Sequence, residues 1–355
     1  MAPSSPSSRV PALDGLRAVS IGLVLVSHSL IYDSHDSNVI RFGLMCGNTG
    51  VSFFFVISGY IITHLLLREE TTAGRIHIGR FYARRALRLL PACYVYVLSV
   101  YLLATGGLIP TIPTHDFLAC VLYIRNLVGR GHETAHLWSL SLEEQFYLFW
   151  PAFVVVLPTR WRFSATAGLV ALVWVWRFGL VFMDRVSDGS LHIRTDLRID
   201  TILFGCLLAL IPSRNCQAGL PDWYSLTVAT VGLLLWPFIS PKIPYSRAFN
   251  AGVMSIGLCA LLDWFLRNPN SMASRLLSSI PLVAFGRLSY SLYLWQQLFL
   301  GPHNIPLQEL RAFPFGLVCA FVAAVMSYFL VELPFLRLKE RYTAYTTGRK
   351  PGESG

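Results

Sequence analysis

Three groups of residues in this chain have the types and spacing to do chemistry, and each lies in or beside a long apolar run. Arg17 and His28 come first. Eleven residues at about 100° each return nearly to the starting face of a helix, with a rise of roughly 16 Å. A guanidinium is a planar fork that grips phosphate bidentately. An imidazole titrates near neutrality and suits base catalysis, although a buried histidine can also be a hydrogen-bonded packing group. With the cation near the cytoplasmic surface and the imidazole deep in the membrane, the pair suits a long substrate with a charged head and a reactive tip. An acyl-CoA has that shape. The second group is Arg80, Arg84, Arg85 and Arg88. Arg84 and Arg88 are four apart on one helix face and Arg80 extends the row. Cations so close repel unless anions intervene, so they either hold CoA phosphates or flank a span against anionic lipid headgroups. The third is the run His136–Tyr147, in which Glu143 and Tyr147 share a face. The adjacent Glu143 and Glu144 could orient an imidazole or bind sugar hydroxyls. Acids also favour a helix N-terminus for its dipole alone.

The elements that must carry these residues are membrane helices. The chain is 54% hydrophobic and 14% charged, and its apolar residues are gathered into segments such as Ala18–Leu30, Val51–Leu67, Ala92–Leu103, Gly168–Trp176 and Phe315–Val331. A crossing needs roughly 20 mostly apolar residues. A soluble helical core would instead require amphipathic helices, and most of these runs are apolar all round. The reading is all-α and polytopic, with about ten spans near 12–32, 49–67, 90–109, 138–157, 164–183, 198–212, 224–240, 248–266, 281–300 and 314–332. The stretch 117–128 is apolar but short, which suits a re-entrant or interfacial helix.

Orientation follows from the arginines. A cytoplasmic N-terminus puts Arg9, Arg68, Arg75, Arg80, Arg84, Arg85, Arg88, Arg160, Arg162, Arg214, Arg267, Arg275 and the C-terminal Arg337, Lys339, Arg341, Arg349 and Lys350 inside. Arg41, Arg125, Arg130, Arg185 and Arg194 fall outside, so the positive-inside rule places both termini in the cytoplasm. The net charge of +10 is thereby topological, and no nucleic-acid partner is needed to explain it. The expected organisation is a flexible tail at 1–10, a transmembrane domain at 11–338 and a basic cytoplasmic tail at 339–355, in an inner or plasma membrane. The segment after the first tail has no cleavage site and is expected to stay as the first span.

Charged groups at membrane depth are costly and normally face a bundle interior. Asp14, Arg17 and His28 in the first span, Glu143 and Glu144 in the fourth, Arg198 and Asp200 opening the sixth, and Glu332 closing the last are therefore site candidates. They also fit a transporter with a charged substrate pathway, but transporters tend to show repeats with broken helices in matching halves, and this chain shows none. The seven scattered cysteines read as packing residues, with a Cys46–Cys120 disulfide on the outer side as an alternative. His132-Glu133-Thr134-Ala135-His136 has the zincin spacing, yet it falls in a loop between Gly131 and Trp138, so no metal is assigned.

In order along the chain stand Asp14-Gly15-Leu16-Arg17 with His28 following, Phe53-Phe54-Phe55-Val56-Ile57-Ser58-Gly59-Tyr60, and Arg84-Arg85-x-x-Arg88-x-x-Pro91. His136-Leu137-Trp138-Ser139-Leu140-Ser141-Leu142-Glu143-Glu144-Gln145-Phe146-Tyr147 comes next. Arg198-Ile199-Asp200 with Gly205, Ser289-Tyr290-Ser291-Leu292-Tyr293-Leu294-Trp295, and Glu332 with Pro334 complete the set. From Leu13 to about Leu338 the sequence resembles the acyltransferase-3 family of bacterial membrane O-acyltransferases. The resemblance implies about ten helices around a pore-like site, with acyl-CoA as a co-substrate reaching it from the cytoplasm. It implies an essential His28, Arg17 with Arg84, Arg85 and Arg88 on the CoA side, and Glu143 as the family's acid with Glu144 beside it. Asp14, Ser58, Trp138, Ser141, Tyr147, Arg198, Asp200, Tyr290 and Gln296 are the motif positions expected around the substrates. The implied acceptor is a hydroxyl of a surface polysaccharide, a lipid-linked glycan or a glycosylated small molecule such as a macrolide. Gln296 stands where many members have histidine, and it can hydrogen-bond but not act as a base. Many members also carry a C-terminal hydrolase-like domain, and the chain is expected to be a stand-alone transmembrane enzyme.

Overall fold

The computed structural model describes residues 11–129, 131–211, 221–302 and 308–347. The tail at 1–10, Arg130, Arg214, Cys216, Arg349 and Lys350 lie outside the described residues. The described residues form helices joined by turns, with no strand among them. In chain order the helices are α1 (Pro11–Asp33), α2 (Ser37–Ala73), α3 (Ile78–Thr105), α4 (Thr114–Val121), α5 (Leu137–Val156), α6 (Thr159–Phe182), α7 (Asp188–Ile193), α8 (Thr195–Arg198) and α9 (Asp200–Leu210). They continue with α10 (Asp222–Thr230), α11 (Trp236–Ile239), α12 (Asn250–Arg267), α13 (Met272–Leu277), α14 (Ile280–Arg287), α15 (Ser289–Phe299), α16 (Phe315–Ser327) and α17 (Leu333–Thr347).

Local sequence accounts for several boundaries. Pro11 opens α1, where its missing N–H costs nothing. Asp36 caps α2 by accepting from the Asn38 N–H at 2.8 Å, and Gly74 ends it at φ 69°, a left-handed conformation that glycine adopts freely. At about 1.5 Å per residue α2 is some 55 Å long, well beyond a hydrocarbon core of roughly 30 Å. Its last turns hold Glu69 and Glu70, which pair with Arg84 at 2.9 Å and Arg162 at 2.5 Å and so tie α2 to the starts of α3 and α6.

Among the described residues six helices are long and apolar enough to cross a membrane: α1, α2, α3, α6, the continuous run through α10 and α11 (Asp222–Lys242), and the run from α16 into α17 (Phe315–Thr343). Their outer faces carry exposed apolar groups, among them Leu102, Leu172, Trp176, Phe182, Phe329 and Leu330. The other four expected spans coincide with α5, α9, α12 and the α14–α15 pair. Length and composition alone do not make these spans. α5 carries two glutamates, α9 has only 11 residues, α12 ends on Asp263 and Arg267, and α14 breaks from α15 at Leu288. The short apolar stretch near 117–128 forms α4 followed by turns. Cys46 and Cys120 are both free and buried, so the alternative disulfide is not formed.

α2 is the packing axis, with α1 on one side and α9 on another. The α2–α9 crossing is backbone against backbone. A methyl at Gly59 would come 2.1 Å from the Ile202 carbonyl oxygen, and one at Gly205 would come 2.1 Å from that of Val56. Lipid chains are as apolar as leucine, so membrane helices associate through this kind of close approach. Gly205→Leu should force the pair apart. A core overpacked in this way loses about 1–3 kcal/mol, and thermal unfolding in detergent should show a clear drop in midpoint. An unchanged midpoint would contradict the crossing.

Candidate active site

Five helices converge on a cavity of about 100 Å³, space for several waters or a small acyl group. α1 contributes Arg17; α2 contributes Val51, Phe54, Phe55 and Ser58; α3 contributes Arg85, Arg88 and Leu89; α5 contributes Ser139, Glu143 and Tyr147; α15 contributes Ser289, Tyr290 and Tyr293. The helical period explains the selection. Arg85 and Arg88 are three apart on α3, Glu143 and Tyr147 four apart on α5, and Phe54 and Ser58 four apart on α2, so each pair presents one face.

The charges are divided unequally. Arg85 Nη2 meets Glu144 Oε1 at 2.9 Å, and its guanidinium carbon lies 3.2 Å from the centroid of the Tyr147 ring, a cation–π contact. Glu143 remains on the cavity wall with a buried Oε1 that has no hydrogen-bond partner, and the Tyr147 hydroxyl is likewise buried and unsatisfied. Buried polar atoms are nearly always hydrogen-bonded, so two orphans on one wall mark a place built for a polar ligand. Arg17 and Arg88 have no carboxylate within ion-pair distance among the described residues. The nearby Glu332 instead takes a short hydrogen bond from the Ser291 hydroxyl.

The arginine row needs a correction. Arg84 and Arg88 were expected to act together at a four-residue spacing. Arg84 is instead held outside the cavity by Glu69, which also binds His77 at 3.2 Å. The cavity pair is Arg85 and Arg88. The anions that relieve the crowding are Glu69 and Glu144, which sequence spacing alone could not bring to α3.

His28 stands apart from the cavity wall. Its Nδ1 lies 2.5 Å from Gln296 Oε1 on α15, so the ring faces the bundle rather than lipid. Tyr293, one turn earlier on α15, does line the cavity; its hydroxyl meets the Ser139 hydroxyl at 2.6 Å and donates to the His136 carbonyl at 2.8 Å. Arg17 and His28 thus share a face of α1, but only Arg17 opens onto this cavity.

The other expected site residues make the following contacts. Asp14 is off the wall, its carboxylate 3.9 Å from Arg287. Trp138 packs edge-on against Phe55, with ring centroids 5.9 Å apart. The Ser141 hydroxyl donates to the Leu137 carbonyl at 3.0 Å and accepts the Arg125 N–H at 3.1 Å. Arg198 reaches Asn48 and Ser52 on α2, both at 2.6 Å. Asp200 accepts from Arg177 at 2.8 Å and Trp174 at 2.9 Å. Tyr290 is on the wall, with its hydroxyl donated to the Leu89 carbonyl at 2.7 Å. Sequence reasoning missed Ser139 and Tyr293 as wall residues, although both stand inside the motifs. It also missed Arg177, a fully buried cation in the apolar stretch of α6 whose counter-charge is Asp200.

The fold and cavity define a membrane-embedded helical domain with an internal cavity lined in part by charged side chains. The chain belongs to the acyltransferase-3 family, an acyltransferase domain matched over residues 10–332. It is 27% identical to the O-acetyltransferase OatA of Staphylococcus aureus, both from strain NCTC 8325 / PS 47 and from strain COL, over 96% of this chain and 59% of that protein. It is also 27% identical to SACOL0978 of S. aureus strain COL, which carries a provisional O-acetyltransferase name, over 92% of this chain and 57% of that protein. The chain therefore spans less than two thirds of these relatives' length. No solved structure matches it.

The Arg177–Asp200 pair is fully buried, and removing one partner of such a pair leaves an uncompensated charge. Asp200→Ala should cost about 3–5 kcal/mol, read as a fall in the unfolding midpoint in detergent. A midpoint within a degree of the parent would contradict this structural role.

Proposed function

We propose that this chain is a membrane O-acyltransferase domain that moves an acyl group, acetyl foremost, from acyl-CoA to a hydroxyl of a sugar-containing acceptor. The observation that carries this reading is the cavity lined by Arg17, Arg85 and Arg88 together with Glu143, whose buried Oε1 has no hydrogen-bond partner. Two of the three arginines lack a carboxylate partner, which is costly in a bilayer unless an anion visits. Arginine suits phosphate, and CoA supplies phosphates at one end and a thioester at the other.

In this reading both termini are cytoplasmic, about ten segments cross or enter an inner (plasma) membrane, and acyl-CoA enters between the arginines. The thioester end must then pass Tyr293 to meet His28. His28 removes the acceptor's hydroxyl proton as that oxygen bonds to the thioester carbonyl carbon. The carbon–sulfur bond breaks, and the CoA thiolate leaves and takes up a proton. Glu143 rather than Glu144 orients the acceptor, because Glu144 is committed to Arg85. Surface polysaccharide, lipid-linked glycan and glycosylated small molecules all offer such a hydroxyl. The named O-acetyltransferase relatives support the reaction class.

Purified protein with acyl-CoA and acceptor tests the reading, since a carrier would neither hydrolyse nor transfer the acyl group. His28→Ala should abolish turnover while the protein stays folded. Arg88→Ala should raise KM for acyl-CoA about 10–100-fold, the loss of one or two charged hydrogen bonds, whereas Arg84→Ala should change it less than about 3-fold, because Arg84 is paired with Glu69 and does not line the cavity. Near-normal turnover in His28→Ala, or equal effects of the two arginine changes, would contradict the reading.

A further inference from the structure

Beyond the cavity, α15 and the turn before α5 hold a second polar cluster that the proposed reaction does not use. It includes the zincin-like segment. Its His132 lies in a tight turn (His132–Thr134), whereas His136 is buried between the rings of Tyr96 and Tyr293, each centroid 5.4 Å away. The two histidines do not share a helix face, and His132 is turned toward α15 instead.

The hydrogen bonds there can run in only one direction. Gln297 Nε2, which can only donate, lies 2.9 Å from His132 Nε2 and 3.1 Å from the His132 carbonyl oxygen. His132 Nε2 is therefore the acceptor, its proton is on Nδ1, and Nδ1 faces the Tyr32 hydroxyl at 3.5 Å. Burial holds the His132 imidazole down, to about 4, so it stays neutral and can accept in this way. One step back, Gln296 Nε2 points at Gln297 Oε1 at 3.5 Å, which turns Gln296 Oε1 toward His28 Nδ1 at 2.5 Å. An amide oxygen cannot donate, so the proton between them belongs to His28 Nδ1. The chain reads His28 to Gln296 to Gln297 to His132 to Tyr32, and each member's donor meets the next member's acceptor.

We infer that Gln296 is a positioning residue that holds His28 in its Nδ1–H tautomer and leaves Nε2 as the atom that takes the acceptor's proton, with Gln297 and His132 fixing Gln296 in turn. This rests on the assignment of His28 as the base. Histidine bases are commonly set this way, by the hydrogen bond that the other ring nitrogen makes. Gln296 is wholly buried, so its amide has no solvent alternative. The other titratable groups facing His28 are Tyr32 on its own helix, His132 and His136 before α5, and behind them the buried Glu133–Arg311 pair at 3.4 Å. α2 presents glycines, Gly43 and Gly47, beside the neighbouring Ser27. A neutral amide contact leaves His28 free to cycle its proton, where a carboxylate there would favour the charged ring.

The test compares Gln296→Leu with Gln296→Glu in the full chain, beside His28→Ala. Leucine keeps the volume but not the acceptor; kcat should fall about 10–100-fold with KM for acyl-CoA within about 2-fold, because the arginines are untouched. Glutamate restores an acceptor oxygen, so part of the lost kcat should return, and the acidic limb of the pH–rate profile should move to higher pH. A nitrogen NMR spectrum of the parent protein with labelled histidine, in which His28 is found by its loss in His28→Ala, should show a protonated Nδ1 and a bare Nε2. That spectrum needs no change at Gln296. A proton on Nε2 overturns the inference, as does Gln296→Leu at parental kcat while His28→Ala is inactive; either result leaves the base assignment standing. Parental turnover in His28→Ala overturns both.

Discussion

The cost of keeping charge out of water governs this molecule. A carboxylate or guanidinium within a bilayer must find a partner, a cavity or a substrate. Most of the ionisable groups in this bundle have found a partner inside the protein. Arg177 holds Asp200, Arg162 holds Glu70, Arg84 holds Glu69, Arg311 holds Glu133 and Arg85 holds Glu144. Those pairs fix which helix lies beside which. Among the described residues Arg17 and Arg88 have no carboxylate at ion-pair distance, and both line the cavity along with the unsatisfied oxygen of Glu143. Buried Arg198 and Arg125 also lack a carboxylate at ion-pair distance among the described residues, but neutral oxygens bond them, whereas Arg17 and Arg88 line a cavity.

The packing serves that arrangement. Glycines at the α2–α9 crossing let backbones touch, and the same α2 carries Phe54, Phe55 and Ser58 on the cavity wall beside α3 and α5. α15, short and broken from α14, reaches both centres: Tyr290 and Tyr293 face the cavity, and Gln296 and Gln297 face His28 and His132. That one helix touches the arginine cavity and the imidazole cluster gives the proposed reaction a physical link between donor and base.

Much of this was legible in the sequence. Long apolar runs gave the all-helical membrane class, and the helical period put Arg17 with His28 and Glu143 with Tyr147 on shared faces. What stayed hidden depends on contacts between helices. Period alone paired Arg84 with Arg88, because nothing in α3 says that Glu69 will claim Arg84. The same limit hid the partners of Arg198 and Asp200, which are Asn48 and Ser52 for the one and Arg177 for the other. Glu143 and Glu144 are neighbours in sequence, and only the position of Arg85 separates their roles. The replacement of a histidine by Gln296 looked like a lost function, and in the fold the amide meets His28.

A structure with acyl-CoA bound tests the central claim most directly. The account expects the CoA phosphates within hydrogen-bonding distance of Arg17 and Arg88, and the thioester carbon past a displaced Tyr293, facing Nε2 of His28. Phosphates resting on Arg80 and Arg84 at the surface, with the cavity empty and Tyr293 in place, would contradict it.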